Sequence, residues 1–423
     1  MSKSLTILHI NKIHHMLGGS EVVYFRTAEI LQKHGHISIF FSMKYPQNIP
    51  CKTERYFVPF IDMDIKGGIL NYIKASLNVF YSFKARRYLS ELLDDYRVDI
   101  AHIHNIHRQM SPSILHELKK RKIPVVMTLH EYKMVCPSFN LLFHEKPCEA
   151  CSGGRYFNAI RLRCIKDSFF RSSLACAEMY LHHKILNIYK NVDVFISPSQ
   201  FLKDKHREMG FKGEVVHLPN CVNVKEFDRF RFEKRDFRIV TIVYFGRLYY
   251  GKGLYTLLNA VKRLSSRYKE KKIVVKIIGD GPLRRDLEKK VEADGIKNIR
   301  FYGFLKSEEL FQEVKDSLTV VLPSECYENN PLQVIESFAM GIPVVGARIG
   351  GIPELVKDYE TGLTYESGNP DDLCSKIEYM INHPDRAVEM GYKARIFAGT
   401  ELNTERHYEG LIKIYEKAIS LIS

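Results

Sequence analysis

The sequence predicts an α/β protein of two domains, each a parallel sheet wound with helices. The chain of 423 residues, 45% hydrophobic and 26% charged, is long enough to bury two sizeable cores. Apolar runs of strand length recur in both halves, and in the C-terminal half each ends in a glycine-containing loop before a helical pattern. That repetition is the signature of strand-loop-helix units whose ligands bind at the carboxyl edge of the sheet.

The first element is a strand from Leu5 to Ile10. A loop follows to Gly18-Gly19-Ser20-Glu21, then a helical pattern to about Lys33, which Gly35 ends, and a strand from His36 to Phe41. Paired glycines before a helix let backbone amides approach a ligand, and Ser20 is placed to cap that helix. Further strands are expected at Asp99–His104, Ile123–Leu129 and Val192–Ser197. The domain boundary is expected near 225–237, after Pro219-Asn220. The first domain then covers 1–225, with a cysteine-containing insertion at about 131–166. The second covers 238–402, and 403–423 form a last helix.

The second domain opens on a buried strand from Arg238 to Phe245, followed by Gly246-Arg247-Leu-Tyr-Tyr-Gly-Lys252-Gly253 and a helix from Leu254. Arg247 and Lys252 leave this loop together. Either alone reads as a solvated cation, but two on a glycine-containing turn at a strand's carboxyl end suit a diphosphate. The next strand, Ile273–Ile278, ends in Gly279-Asp-Gly281-Pro282, and a later one, Ile342–Ala347, leads to Gly350-Gly351. Between them, Glu328 and Glu336 flank the start of a helix, with Asn330 as its expected N-cap and Pro331 as its first residue. Free amides at that end would face an anionic or polyhydroxylated ligand. With a rise of roughly 1.5 Å per residue, Glu336 is expected about two turns along.

This order of motifs resembles the C-terminal domain of the retaining glycosyltransferases of family 4, which have the GT-B fold. The resemblance is dense over roughly 240–370 and rests on Phe-Gly-Arg-Leu with Lys-Gly, Gly-Asp-Gly-Pro-Leu, Pro-Ser with the spaced glutamates, and Gly-Gly-Ile-Pro-Glu. It implies two Rossmann-like, doubly wound domains facing a central cleft, with the C-terminal helix crossing back to the first domain. It further implies that Glu328 touches the donor sugar, that Glu336 holds the ribose, and that Arg247 and Lys252 neutralise the diphosphate. The donor set on this reading also takes in Gly246, Gly279, Gly281, Asn329, Asn330, Pro331 and Leu332. Asn329-Asn330-Pro331 depart from the Gly-Phe-Gly frequent in the family, which leaves the sugar open. From the first domain the resemblance adds Gly18, Gly19 and Glu21 against the diphosphate. It also adds His130 near the donor sugar, with Glu131, where an Asp is commoner, as an acceptor-site candidate. Together Arg247, Lys252, Glu328 and His130 form the expected catalytic set.

The implied reaction is retaining transfer of a sugar from a nucleotide-diphosphate sugar to a glycan or polyprenyl-pyrophosphate-linked acceptor in surface polysaccharide biosynthesis. Cations at the departing diphosphate stabilise the transition state without a catalytic metal. A catalytically silent GT-B scaffold subunit and a sugar-nucleotide epimerase on the same fold are the alternatives.

The formal net charge is +14. Residues 1–220 hold 31 Lys and Arg against 19 Asp and Glu, so nearly all the excess is N-terminal. An anionic membrane surface fits this better than nucleic acid, since no nucleic-acid-binding module is recognisable. Two stretches mix cations with large apolar groups as interfacial helices do. One is Lys66–Arg97, with Ile73, Lys74, Leu77, Phe80 and Phe83, and the other is Arg155–Arg171. The first reads equally as a core helix with one wet face. The N-terminus lacks a signal pattern and no apolar run reaches spanning length, so a cytoplasmic protein at the inner face of the membrane is expected.

Nine cysteines without a secretion signal argue for thiols or metal. Cys148 and Cys151 have a spacing used by structural zinc, and Cys136 and Cys164 would complete a thiolate quartet, against the alternative of unliganded thiols. His102, His104 and His107 are close in sequence, but in a strand His102 and His104 share a face and read as structural or substrate-facing.

Overall fold

The computed structural model describes residues 4–60, 77–108, 110–230, 238–268 and 272–422. Ile73, Lys74 and residues 231–237 of the expected linker lie outside them. The chain divides into two compact units. The first comprises Met1–Asn140, Glu149–Leu218 and Tyr408–Ser423, and the second comprises Leu141–Cys148 and Pro219–His407.

In the first unit six strands form one parallel sheet: β1 (Thr6–Ile10), β2 (Ile37–Phe41), β3 (Ile100–Ile103), β4 (Val125–Thr128), β5 (Val194–Ser197) and β6 (Val215–His217). Their spatial order is β6-β5-β4-β3-β1-β2. The strands read as near-continuous apolar runs because both faces are covered, and β3, β4 and β5 are buried at every position. On one face Ile7, Ile100, Val126 and Val194 pack with Leu31 and with Leu411, Ile414, Tyr415 and Ala418 of the last helix, Thr404–Ser420. The C-terminal residues therefore belong to the first unit's core.

Serines start several of this unit's helices by accepting a backbone N–H. Ser82 does so from Ala85 at 3.1 Å, Ser168 from Arg171 at 3.3 Å and Ser199 from Leu202 at 3.1 Å. The buried Lys133 donates to Glu178 at 2.8 Å and ties the start of the insertion to the helix Phe169–Tyr180. Leu142–Phe143 and Lys146–Pro147, which belong to the second unit, form a hairpin across His144 and Glu145. Both turn residues are left-handed, as a two-residue hairpin turn requires.

The second unit carries β7 (Ile239–Phe245), β8 (Lys272–Ile278), β9 (Ile299–Gly303), β10 (Thr319–Leu322), β11 (Val344–Ala347) and β12 (Gly362–Tyr365), all parallel, in the order β9-β8-β7-β10-β11-β12. Ile242, Val275, Val320 and Val344 lie at the centre of its core. The strand order reverses between β7 and β10, so the loops leaving these two strands open the crevice where a ligand binds in such sheets.

Candidate functional site

In the second unit the loop after β7 and the loop after β10 are stitched together. The Gly251 carbonyl accepts from the amides of Glu325 at 2.7 Å and Cys326 at 3.1 Å. Gly253, with φ +64°, brings its backbone so close to Pro323 that a Cβ would stand 1.6 Å from the carbonyl oxygen. No side chain fits there, and the left-handed backbone disfavours one in any case. Gly253→Ala is expected to cost on the order of 3 kcal/mol. A melting temperature equal to that of the parent would contradict this packing.

This stitching sets Lys252 over Glu328. The ammonium donates to Glu328 Oε1 at 2.5 Å, and the Ser324 hydroxyl donates to the same oxygen at 2.5 Å. Both charged side chains are largely covered, Lys252 to 22% and Glu328 to 12% exposure. Burial pulls the Lys252 pKa down, but the Glu328 carboxylate, with Cys326 and Tyr244 adding, holds the ammonium above the usual lysine value. Behind Glu328, the Gly351 amide donates to its carbonyl at 2.8 Å, while a Cβ on Gly350 would meet that carbonyl oxygen at 2.4 Å. Burial, with Glu328 adding, pushes the Cys326 thiol up to about 12, so beside this pair it is a neutral thiol and not a nucleophile. Arg247 is exposed, its guanidinium 5.0 Å from the Tyr249 ring centroid. Its carbonyl is held by the Tyr244 hydroxyl at 2.9 Å.

Several expected donor-site residues do other work. The helix after Glu328 begins at Leu332 with Pro331 as N-cap, not Asn330, so Glu336 lies about one turn in, roughly 6 Å along the axis, and not two. Asn330 is buried, and it accepts from the Asn220 amide at 3.0 Å through its side chain and from Asn220 Nδ2 at 2.9 Å through its backbone. Both of its oxygens are engaged by the chain entering the unit. Gly279 and Gly281 are packing positions, where a Cβ would stand 1.9 Å from the Gly246 oxygen and 2.2 Å from the Leu248 oxygen. Their amides are engaged by Gly303 and by Asp280 Oδ1, and that of Gly246 by Ile278. Asn329 is half-buried. Sequence reasoning missed Ser324, although it stands four residues before Glu328. It also missed Gln333, whose amide donates to the Phe245 carbonyl and locks the helix start to β7.

In the first unit the strand order reverses between β1 and β3. The loops leaving them are zipped by Asn105 N to Asn11 Oδ1 at 3.0 Å and Lys12 N to the Asn105 carbonyl at 2.7 Å. Gly18 and Gly19 are exposed, with Gly18 as N-cap of the helix Gly19–Lys33. Ser20 is not the cap. It donates to Glu21 Oε1 at 2.9 Å, and Asn11 Nδ2 donates to the same oxygen at 3.3 Å. Glu21 is thus buried and braces the glycine loop from below.

His130 follows β4 and is half-buried, its Nε2 sharing a 2.8 Å hydrogen bond with His104 Nδ1. Burial, with Lys12 adding, lowers its pKa to about 4, so it is a neutral imidazole at ordinary pH. Burial raises the Glu131 carboxyl, against the lowering effect of Lys12 and Lys133. Its buried Oε1 lies 3.9 Å from His107 Nε2.

Among the described residues, the metal-type ligand atoms that gather within 4.8 Å are those of His9, His102 and His104. The expected quartet of Cys136, Cys148, Cys151 and Cys164 does not form such a group. Cys136 Sγ instead lies 3.1 Å from Ser138 Oγ, while Cys151 joins Tyr156, Ala159, Cys176 and Met179 in a small core against which Cys164 packs. In the histidine group, both nitrogens of His102 are already bonded, to the Tyr415 hydroxyl at 2.7 Å and Thr128 Oγ1 at 2.8 Å. The His102 and His104 rings stack at 4.6 Å and 23°. Nearly parallel rings do not aim their in-plane lone pairs at one ion, so this is a stacked, hydrogen-bonded layer.

The family model Glycosyltransferase Family 4 matches residues 17–226, and the model Glycosyl transferases group 1 matches residues 224–397. An uncharacterized glycosyltransferase of Methanocaldococcus jannaschii is 28% identical over 54% of this chain and 60% of its own length. The lipopolysaccharide core biosynthesis glycosyltransferase LpsE of Rhizobium meliloti is 27% identical over 46% of this chain and 56% of its own. The chain thus spans somewhat over half the length of these two relatives. Among solved structures, Anabaena HepE in complex with UDP and glucose is similar in fold, with a TM-score of 0.67 at 15% identity, covering 97% of this chain and 99% of that one.

Proposed function

Because the chain belongs to the family 4 glycosyltransferases, we propose that its second unit binds a nucleotide-diphosphate sugar and that the protein transfers the sugar, with retention at the anomeric carbon, to a glycan or lipid-linked oligosaccharide. The observation that carries the donor assignment is the convergence of Lys252 and Ser324 on one oxygen of Glu328, at the point where the second sheet reverses its strand order. Glu328 Oε1 is occupied by these two donors, which leaves Oε2 to accept a sugar hydroxyl. Lys252 is held as an ammonium beside that oxygen, and Arg247 stands exposed on the same loop. As the donor bond breaks, negative charge grows on the departing diphosphate, and cations already in place stabilise it without reorganising.

The UDP and glucose in the Anabaena neighbour favour a uridine donor, and the Rhizobium relative favours a surface glycan as acceptor. The test is thermal stabilisation by UDP, GDP, ADP and their sugar conjugates. Proton NMR of the product formed with a lipopolysaccharide-type acceptor then follows. A shift with one nucleotide and an anomeric coupling that matches the donor are expected. A folded protein that no nucleotide stabilises would defeat the donor assignment, and an inverted product would defeat retention.

A further inference from the structure

In the first unit the helix Asn158–Leu162 of the insertion and the helix Phe169–Tyr180 that follows it bury one side and leave large apolar side chains on the other. Cys151, Tyr156, Ala159, Cys176 and Met179 fill the inner side. Outward stand Phe157 at 51% exposure, Phe169 at 63%, Phe170 at 61% and, on the next turn, Ile185 at 74%. Single exposed apolar residues are ordinary, but Phe157, Phe169 and Phe170 put three large exposed rings within fourteen residues of one helical hairpin. Between the two helices the chain turns through Arg163, Lys166 and Asp167, all with left-handed backbone. Arg161, Arg163, Lys166 and Arg171 are all exposed, with Asp167 the one acid from Arg155 to Arg171. The turn after the second helix, not the cationic stretch itself, touches the other segment of mixed cations and apolar groups, where His182 Nε2 hydrogen-bonds the Phe80 carbonyl at 2.7 Å. Close by, Phe83 at the head of its helix is 74% exposed.

We propose that this hairpin docks the protein on an anionic lipid surface, with the phenylalanines at the boundary of headgroups and acyl chains and the cations among the phosphates. Aromatic rings flanked by exposed cations have the composition of an interfacial segment, and opposite charge on the lipid supplies attraction that a neutral surface does not. Among the described residues no helix is long and apolar enough to cross a membrane, so the contact is one of lying on the surface. A second copy of the chain is the poorer occupant, because a two-fold contact sets this cationic patch against itself. The assignment does not depend on the donor site.

The test is flotation of the full chain with vesicles of equimolar phosphatidylglycerol and phosphatidylcholine, against pure phosphatidylcholine, at low and high salt. Binding is expected to the anionic vesicles only and to fall with salt. The variants Phe169→Ser/Phe170→Ser and Arg161→Gln/Arg163→Gln are each expected to lose binding by roughly tenfold or more. Both are expected to keep the parent melting temperature and its response to UDP. Absence of vesicle binding by the parent, or binding undiminished in both variants, would overturn the proposal. Sedimentation showing a dimer that the phenylalanine variant abolishes, without lipid binding, would assign the patch to a second copy and overturn it as well.

Discussion

Lys252→Ala is expected to lower kcat/KM for the sugar donor by two to three orders of magnitude, about 3–4 kcal/mol of transition-state stabilisation. Two losses combine. The leaving diphosphate loses a cation, and Glu328, only 12% exposed, keeps its charge with Ser324 as its remaining partner of the two described. The second loss predicts lower stability in the absence of any ligand. Glu328→Gln in the same chain should recover that stability, since a neutral amide needs no counter-charge, while leaving the enzyme inactive. Melting curves and donor kinetics of the two single variants and the double variant form the cycle that separates the effects. Donor turnover by Lys252→Ala within a few-fold of the parent would remove Lys252 from the mechanism.

Acidification is expected to melt the first unit well before the second. Burial lowers the pKa of His9 and His183 to about 3 and of His14, His130 and His206 to about 4, and it holds His104 and His107 well below the ordinary value. All seven lie in the first unit. Their folded forms bind fewer protons than the unfolded chain below its histidine pKa of about 6.5. The stability they allow is therefore intact above about pH 6.5 and drains away as pH falls towards about 4. Each group can cost up to about 1.4 kcal/mol per pH unit across that window, and several acting together rival the 5–15 kcal/mol that typically holds a domain folded. Calorimetry at about pH 5 should resolve an early transition that moves up and merges with the later one near neutrality. A thermogram unchanged between those conditions would refute the neutral-histidine account.

The strands of the first sheet were legible as apolar runs, and those of the second where such runs are punctuated by glycine. β7 and β8 are recognisable because their seven residues precede Gly246 and Gly279. The four residues of β10 carry no period of their own, and this strand delivers the glutamate loop. Within the site, Lys252 and Glu328 stood out by residue type and spacing, and they do meet. The roles of Asn330 and Glu21 were not readable. Asn220, which takes up Asn330, is 110 positions away, and whether a carboxylate faces a ligand or braces a loop depends on the direction of its side chain. The cysteine spacing sets chain separation and not where the sulfurs point, and among the described residues the four cysteines do not gather as ligands.

The placement of the last helix has a consequence for how the protein is made. Leu411, Ile414, Tyr415 and Ala418 cover one face of the first sheet, and the Tyr415 hydroxyl reaches back 313 positions to His102. A ribosome that has finished all six strands of that sheet still has Pro219–His407 of the second unit to synthesise before the covering residues emerge. For that interval an apolar sheet face lies bare on the nascent chain, at risk of aggregation and open to chaperones. A stop codon near residue 405 would thus damage the first unit, leaving the second largely intact.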